Sequence, residues 1–165
     1  MSDTSRIYIT RSGKRKLQER LDHLVNVERN SAIASLAKAR KLGDLSENAE
    51  YHAAKDRQRV IENEINALQE KIDRVQIVSP SQQDKDAVSF GAVICVERTD
   101  KQGGESESFT YKLVSTDEVD FDSRNISTSS LIGRSLLGKP LNSVSAISTP
   151  RGEYVYKVLS IDYED

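Results

Sequence analysis

The chain is predicted to be α+β: an antiparallel α-helical coiled-coil hairpin followed by a small, mainly antiparallel β-sheet domain with one short helix. Three observations predict it. All three prolines, Pro80, Pro140 and Pro150, lie in the second half, so none removes a backbone donor from a helix in the first 79 residues. From Ile61 the apolar positions run Ile61, Ile65, Leu68, Ile72 and Val75, alternating steps of four and three as a coiled-coil seam requires. Beyond Pro80 that period gives way to short apolar runs separated by turn-rich segments.

Extended backwards, the seam passes through Gln58, Ala54 and Tyr51, which predicts one helix from near Asn48 to near Gln76. The preceding segment carries Leu17, Leu21, Leu24, Ala32, Leu36 and Ala39 at mixed helical spacings and is predicted to be its partner. Antiparallel pairing sets Leu21 opposite Ile72, Leu24 opposite Leu68, Ala32 opposite Ile61 and Ala39 opposite Ala54, with the fold-back near residue 46. Gly43 suits the left-handed position that ends a helix, and Asp44 suits the N-cap of the next one. At a rise of about 1.5 Å per residue, roughly 30 residues on each side give a rod of roughly 45 Å.

In the second half, residues 88–96, 109–114, 144–147 and 154–161 read as strands, with turns at 100–104 and 149–152. Leu131–Leu137, closed by Gly138, reads as the short helix. The expected domains are therefore 1–79, with an acidic turn near 43–48, and 80–165.

Composition narrows the function classes. With 36% hydrophobic residues, no Trp and 30% charged residues, the chain is short of material for one large core. The net charge of −2 divides into +3 over residues 1–79 and −5 over 80–165, far from the single-sign field of a general DNA or membrane binder. The single cysteine, Cys95, lies in an apolar run and is expected in the core; with no second cysteine an intramolecular disulfide is excluded, which suits a reducing compartment. No apolar run has membrane-spanning length and no secretory apolar segment opens the chain, so it is expected in the cytoplasm.

The turn segment Gly43-Asp44-Leu45-Ser46-Glu47-Asn48-Ala49-Glu50-Tyr51 carries the main candidates. Asp44 and Glu47 have the spacing of a capping box, in which the first acid satisfies a free backbone N–H and the second reaches back. Placed at the end of a long arm, however, two carboxylates are suited to serving another protein's active site. Two acids are too few to satisfy octahedral Mg²⁺ alone, so a shared site would have to complete the shell. Lys38, Arg40 and Lys41 on the first helix and Lys55, Arg57 and Arg59 on the second form a basic collar; they suit either a solvated flank or a phosphate, with Arg40 and Lys55 nearest across the pairing. His23 and His52 lack further ligands at metal spacing and read as structural. The acidic run 117–122 reads as a solvated loop, and Ser127–Ser130 has no triad partners.

These residues resemble a family. Ala37-x-Ala39-Arg40-x-x-Gly43-Asp44-Leu45-x-Glu47-Asn48-Ala49-Glu50-Tyr51, followed by Ala53, Ala54 and Gln58, is similar to the signature of the Gre factors, bacterial transcript cleavage factors, in its GreA-type form. The likeness continues through Phe90-Gly91-Ala92, residues 130–139 and Thr149-Pro150-x-Gly152-Glu153. It implies a coiled-coil finger joined to an FKBP-like domain that docks on RNA polymerase at its secondary channel. It further implies that Asp44 and Glu47 help hold the polymerase's second Mg²⁺ while backtracked RNA is hydrolysed, and that Arg40 and Lys55 contact that RNA. The factor would then be an accessory to the polymerase's own activity rather than an enzyme, binding no cofactor alone and acting as a monomer.

Three other readings compete. One is a Gre-fold regulator of the same channel that does not promote cleavage, against which the intact acid pair argues. Another is a peptidyl-prolyl isomerase, for which an aromatic-lined pocket is needed and Phe90, Phe109, Phe121 and a few tyrosines are the only material. The last is a coiled-coil adaptor whose turn is merely capped.

Overall fold

The structure, a computed structural model, describes residues 6–44, 47–79 and 86–164. Ser46, within the candidate turn segment, and Pro80, the first residue of the expected second domain, lie outside the described residues. The chain divides into two units. One holds residues 14–75; the other joins residues 6–13 to the chain from 76 onward. The expected boundary after residue 79 gave the first unit the whole N-terminal segment. Instead, strand β1 (Ile7–Ile9) pairs with β2 (Val75–Ile77), and the Val78 N–H donates to the Ile9 carbonyl at 3.0 Å. Val75 and Gln76, expected at the end of the helix, are therefore extended.

The helical unit comprises α1 (Arg11–His23, whose first turn belongs to the other unit), a π-helical turn (Leu24–Glu28), α2 (Arg29–Arg40) and α3 (Ala49–Asp73). Along α3, Ile61, Ile65 and Ile72 are buried while Tyr51, Ala54, Gln58 and Leu68 are half-buried, which is the seam predicted from the four–three spacing. Leu17, Leu21, Leu24, Ala32 and Ala39 are buried on the opposing side. Beside the seam, Arg29 Nε donates to Glu62 at 2.7 Å, and Arg20 bridges Glu64 at 2.7 Å and Glu28 at 2.5 Å.

The π turn explains the mixed spacings. Leu24, Glu28, Ala32 and Leu36 are withdrawn from solvent in three successive steps of four, and each such step drifts about 40° around a 3.6-residue helix. Inserting one wider turn absorbs that drift and keeps Leu24 and Ala32 on one face.

In the other unit five strands lie in the order β5-β4-β3-β7-β6: β3 (Ala92–Asp100), β4 (Ser106–Val114), β5 (Asn125–Ser127), β6 (Val144–Thr149) and β7 (Gly152–Tyr163). The pairings are antiparallel except that β5 runs parallel to β4, in keeping with the mainly antiparallel sheet expected. Parallel pairing needs a crossover, and the chain between β4 and β5 supplies one through a 3₁₀ helix, Thr116–Phe121. Helix α4 (Leu131–Leu136) is the short helix predicted, N-capped by the Ser130 hydroxyl, which accepts from the Gly133 N–H at 3.0 Å. The core gathers Val88, Ala92, Ile94, Val96, Leu113, Leu136, Ile147, Tyr156 and Val158. Cys95, expected in that core, is half-buried instead, because alternation along β3 sends Ile94 and Val96 inward and Cys95 to the other face.

The acidic run is not a solvated loop. Glu118 is 1% exposed and its carboxylate accepts from the Thr10 N–H at 3.2 Å, from the Thr10 hydroxyl and from the Ser115 hydroxyl at 3.2 Å. The Thr10 hydroxyl also accepts from the Gly13 N–H at 3.0 Å, and any side chain at Gly13 would overlap the Glu118 carboxylate. The start of α1 is thereby tied to the sheet unit. Among the described residues no helix is long and apolar enough to cross a membrane.

Candidate functional site at the hairpin turn

Helix α2 ends at Arg40, and Lys41, Leu42 and Gly43 donate back to the Lys38, Ala39 and Arg40 carbonyls at 3.1–3.4 Å as the last turn unwinds. Gly43 then takes φ +77°, where a missing Cβ removes the steric penalty. Asp44 follows at φ +25°, a region that Asp tolerates better than most residues. The Glu47 N–H donates to the Asp44 carbonyl at 3.3 Å, so the turn brings the backbones of the two acids together, and both residues are exposed.

The N-cap of α3 is Asn48, not Asp44. Its side-chain oxygen accepts from the Tyr51 N–H at 3.0 Å, the bond a capping residue makes to the third helical position. Its amide nitrogen reaches across to the end of α2, donating to the Ala39 carbonyl at 2.8 Å and the Gly43 carbonyl at 3.2 Å. The D-x-x-E spacing therefore does not operate as the capping box of this helix, and neither acid is its cap. Sequence reasoning passed over Asn48 because the acid pair offered a stronger pattern. The signal was present in an Asn immediately before the first regular seam residues.

Of the basic collar, Arg40 and Lys55 are both exposed, on α2 and α3 respectively. The Arg40 guanidinium lies 6.0 Å from the centre of the Tyr51 ring, and Tyr51 meets His52 edge-on at 5.6 Å between ring centres. Lys38, Lys41, Arg57 and Arg59 are exposed too, with Arg59 partly neutralised by Asp56 at 3.3 Å. Cationic side chains thus stand on both helices behind the acid-bearing turn.

As a donor set, Asp44 and Glu47 offer hard carboxylate oxygens on an open surface, the ligand chemistry Mg²⁺ prefers, and two carboxylates leave room for waters and outside ligands. Among the described residues no group of three or more His, Cys, Asp or Glu is placed to hold a metal ion.

Residues 7–77 match the family described as Transcription elongation factor, N-terminal, and residues 82–163 match Transcription elongation factor, GreA/GreB, C-term. The chain belongs to the GreA/GreB family of transcription elongation factors. Among its relatives, the Transcription elongation factor GreA of Thermodesulfovibrio yellowstonii is 40% identical over 98% of this chain and 99% of its own. That of Syntrophotalea carbinolica is 42% identical over 94% and 96%. A solved structure, the GreA factor homolog 1 of Thermus thermophilus, is 25% identical, covers 95% of this chain and 99% of its own, and has a TM-score of 0.43.

Membership also bears on the isomerase reading. In the sheet, the rings of Phe109, Tyr111 and Tyr154 are engaged with one another or with Arg98. The Arg98 guanidinium lies over the Phe109 ring at 4.6 Å and over the Tyr154 ring at 4.9 Å, and Phe109 stacks on Tyr111 at 5.9 Å.

Proposed function

We propose that this elongation factor binds bacterial RNA polymerase, passes its helical hairpin through the secondary channel, and stimulates hydrolysis of backtracked nascent RNA. The observation that carries the reading is the arrangement of the turn: two exposed acids in a hairpin turn whose helix cap is a third residue, Asn48. Acids needed only for capping would be placed at the cap.

In this reading Asp44 and Glu47 supply oxygens to a Mg²⁺ that the polymerase also ligates, and Arg40 and Lys55 neutralise phosphates of the extruded RNA so that its 3′ segment lies against the turn. Mg²⁺ held there supplies activation of the attacking water and stabilisation of charge on the phosphoryl oxygens. The chain contributes presentation: it carries two anionic groups to a site it does not itself contain. It acts in the cytoplasm as an accessory to the polymerase, with no cofactor of its own.

The test is a purified polymerase stalled in a backtracked complex, to which the factor and Mg²⁺ are added and 3′-end RNA cleavage is followed. Wild type is expected to accelerate cleavage, Asp44→Ala and Glu47→Ala to abolish the acceleration while still competing with wild type for polymerase. Cleavage by both variants at the wild-type rate would remove the acids from the mechanism, and no acceleration by wild type would favour a channel-binding regulator that does not promote cleavage.

A further inference from the structure

We infer that Asn48 is a positioning residue for the acid pair, acting through its amide donors as well as its capping oxygen; the inference rests on the function proposed above. One half-buried side chain makes three bonds: it accepts from Tyr51 N–H at 3.0 Å and donates to the Ala39 carbonyl at 2.8 Å and the Gly43 carbonyl at 3.2 Å. The first bond begins α3. The other two reach the end of α2 and the connection beyond it, where carbonyls leave the helical ladder and need partners.

The Gly43 carbonyl is the significant acceptor. It belongs to the peptide group whose nitrogen is that of Asp44, so fixing it fixes the plane from which Asp44 takes its φ of +25°, a conformation that residues with a Cβ avoid. Glu47 is joined directly to the backbone of Asn48. A single side chain therefore governs the peptide entering one acid and is attached to the residue following the other. Removing its donors frees the Gly43–Asp44 peptide to turn, and the two carboxylates lose their common frame.

Capping alone does not demand this residue. Ser and Asp cap helices as well as Asn does, because only the acceptor is used. Asn differs in offering an acceptor and two N–H donors from one planar group. The substitutions Asn48→Ser and Asn48→Asp thus keep the cap and delete the tether.

The experiment compares wild type, Asn48→Ser, Asn48→Asp and Asp44→Ala in the backtracked-complex assay across a Mg²⁺ titration, alongside thermal unfolding and competition for polymerase. The expected result is unfolding and competition close to wild type for both Asn48 variants, a cleavage rate lower by about 10- to 100-fold, as small misplacements of reacting groups produce, and a higher Mg²⁺ requirement. A cap that mattered only for stability would shift unfolding and leave the Mg²⁺ dependence where it was. If Asp44→Ala loses cleavage while both Asn48 variants match wild type in rate and Mg²⁺ dependence, the positioning role is overturned and the proposed function stands. If Asp44→Ala cleaves normally, the function fails and the positioning role fails with it.

Discussion

Ile94 in the sheet unit and Ile61 in the helical unit are both buried, at 0% and 4% exposure, yet their surroundings differ. Ile94 sits within a cluster drawn from four strands and α4. Ile61 stands in a single file of seam residues between two helices, with exposed Val60 beside it and half-buried Glu62 on the other side. The sheet unit is stabilised by convergence of side chains, the hairpin by repetition along a seam. A hairpin of that kind keeps a thin cross-section, since small residues such as Ala32 and Ala39 fill some of its buried positions, which suits the channel entry proposed above.

The comparison is most directly strained by truncating the two isoleucines. Ile94→Ala is expected to cost about 4 kcal/mol and Ile61→Ala about 2 kcal/mol, because a site with fewer surrounding side chains leaves a smaller cavity. Chemical denaturation followed by circular dichroism measures both, and equal losses would erase the distinction. Next in size, Gly13→Ala should cost about 3 kcal/mol or somewhat less, since a new methyl meets the buried Glu118 carboxylate and overpacking costs about 1–3 kcal/mol. A thermal midpoint unchanged from wild type would show that the carboxylate moves aside without cost.

Asn48→Ala is expected to cost about 1 kcal/mol, the usual value of an N-cap, visible as a lower denaturation midpoint and increased fraying at the start of α3 by amide exchange. The smallest effect concerns Glu62, whose hydrogen bond from Arg29 holds its carboxyl below the ordinary carboxylate range. A depressed folded-state pKa adds stability above the unfolded value, near 4.3, and that contribution is lost as pH falls through the lowered one. The difference in midpoint between wild type and Glu62→Gln should therefore be present at pH 7 and shrink on acidification to about pH 3. A constant difference would assign it to packing.

Periodicity made the hairpin legible because burial in α3 depends on one repeating face, and the fold-back near residue 46 falls between Arg40 and Ala49, where α2 ends and α3 begins. The alternation of Ile94 with Val96 likewise announced a strand. What stayed hidden depends on partners distant in sequence. Glu118 reads as one acid among several until Thr10, 108 residues away, is placed beside it. β5 has three residues and too little pattern to be recognised without β4. The π turn was recorded in the run of fours from Leu24 to Leu36, but mixed spacing alone does not reveal where the extra residue goes. At the site, Asp44, Glu47, Arg40 and Lys55 were chosen from residue type and placement. Asn48 was missed because its two cross-turn donations exist only once Ala39 and Gly43 have been folded back towards it.

The central claim is that Asp44 and Glu47 act as anionic oxygen donors rather than as structural groups, and charge-removing isosteres test it most directly. RNA 3′-end cleavage in a backtracked complex is measured with Asp44→Asn and Glu47→Gln at matched polymerase occupancy, with unfolding midpoints recorded in parallel. The account predicts unchanged folding and a fall in stimulated cleavage on the order of 100-fold for each, equivalent to about 2.7 kcal/mol of barrier. Stimulation at the wild-type rate by both amide variants would contradict it.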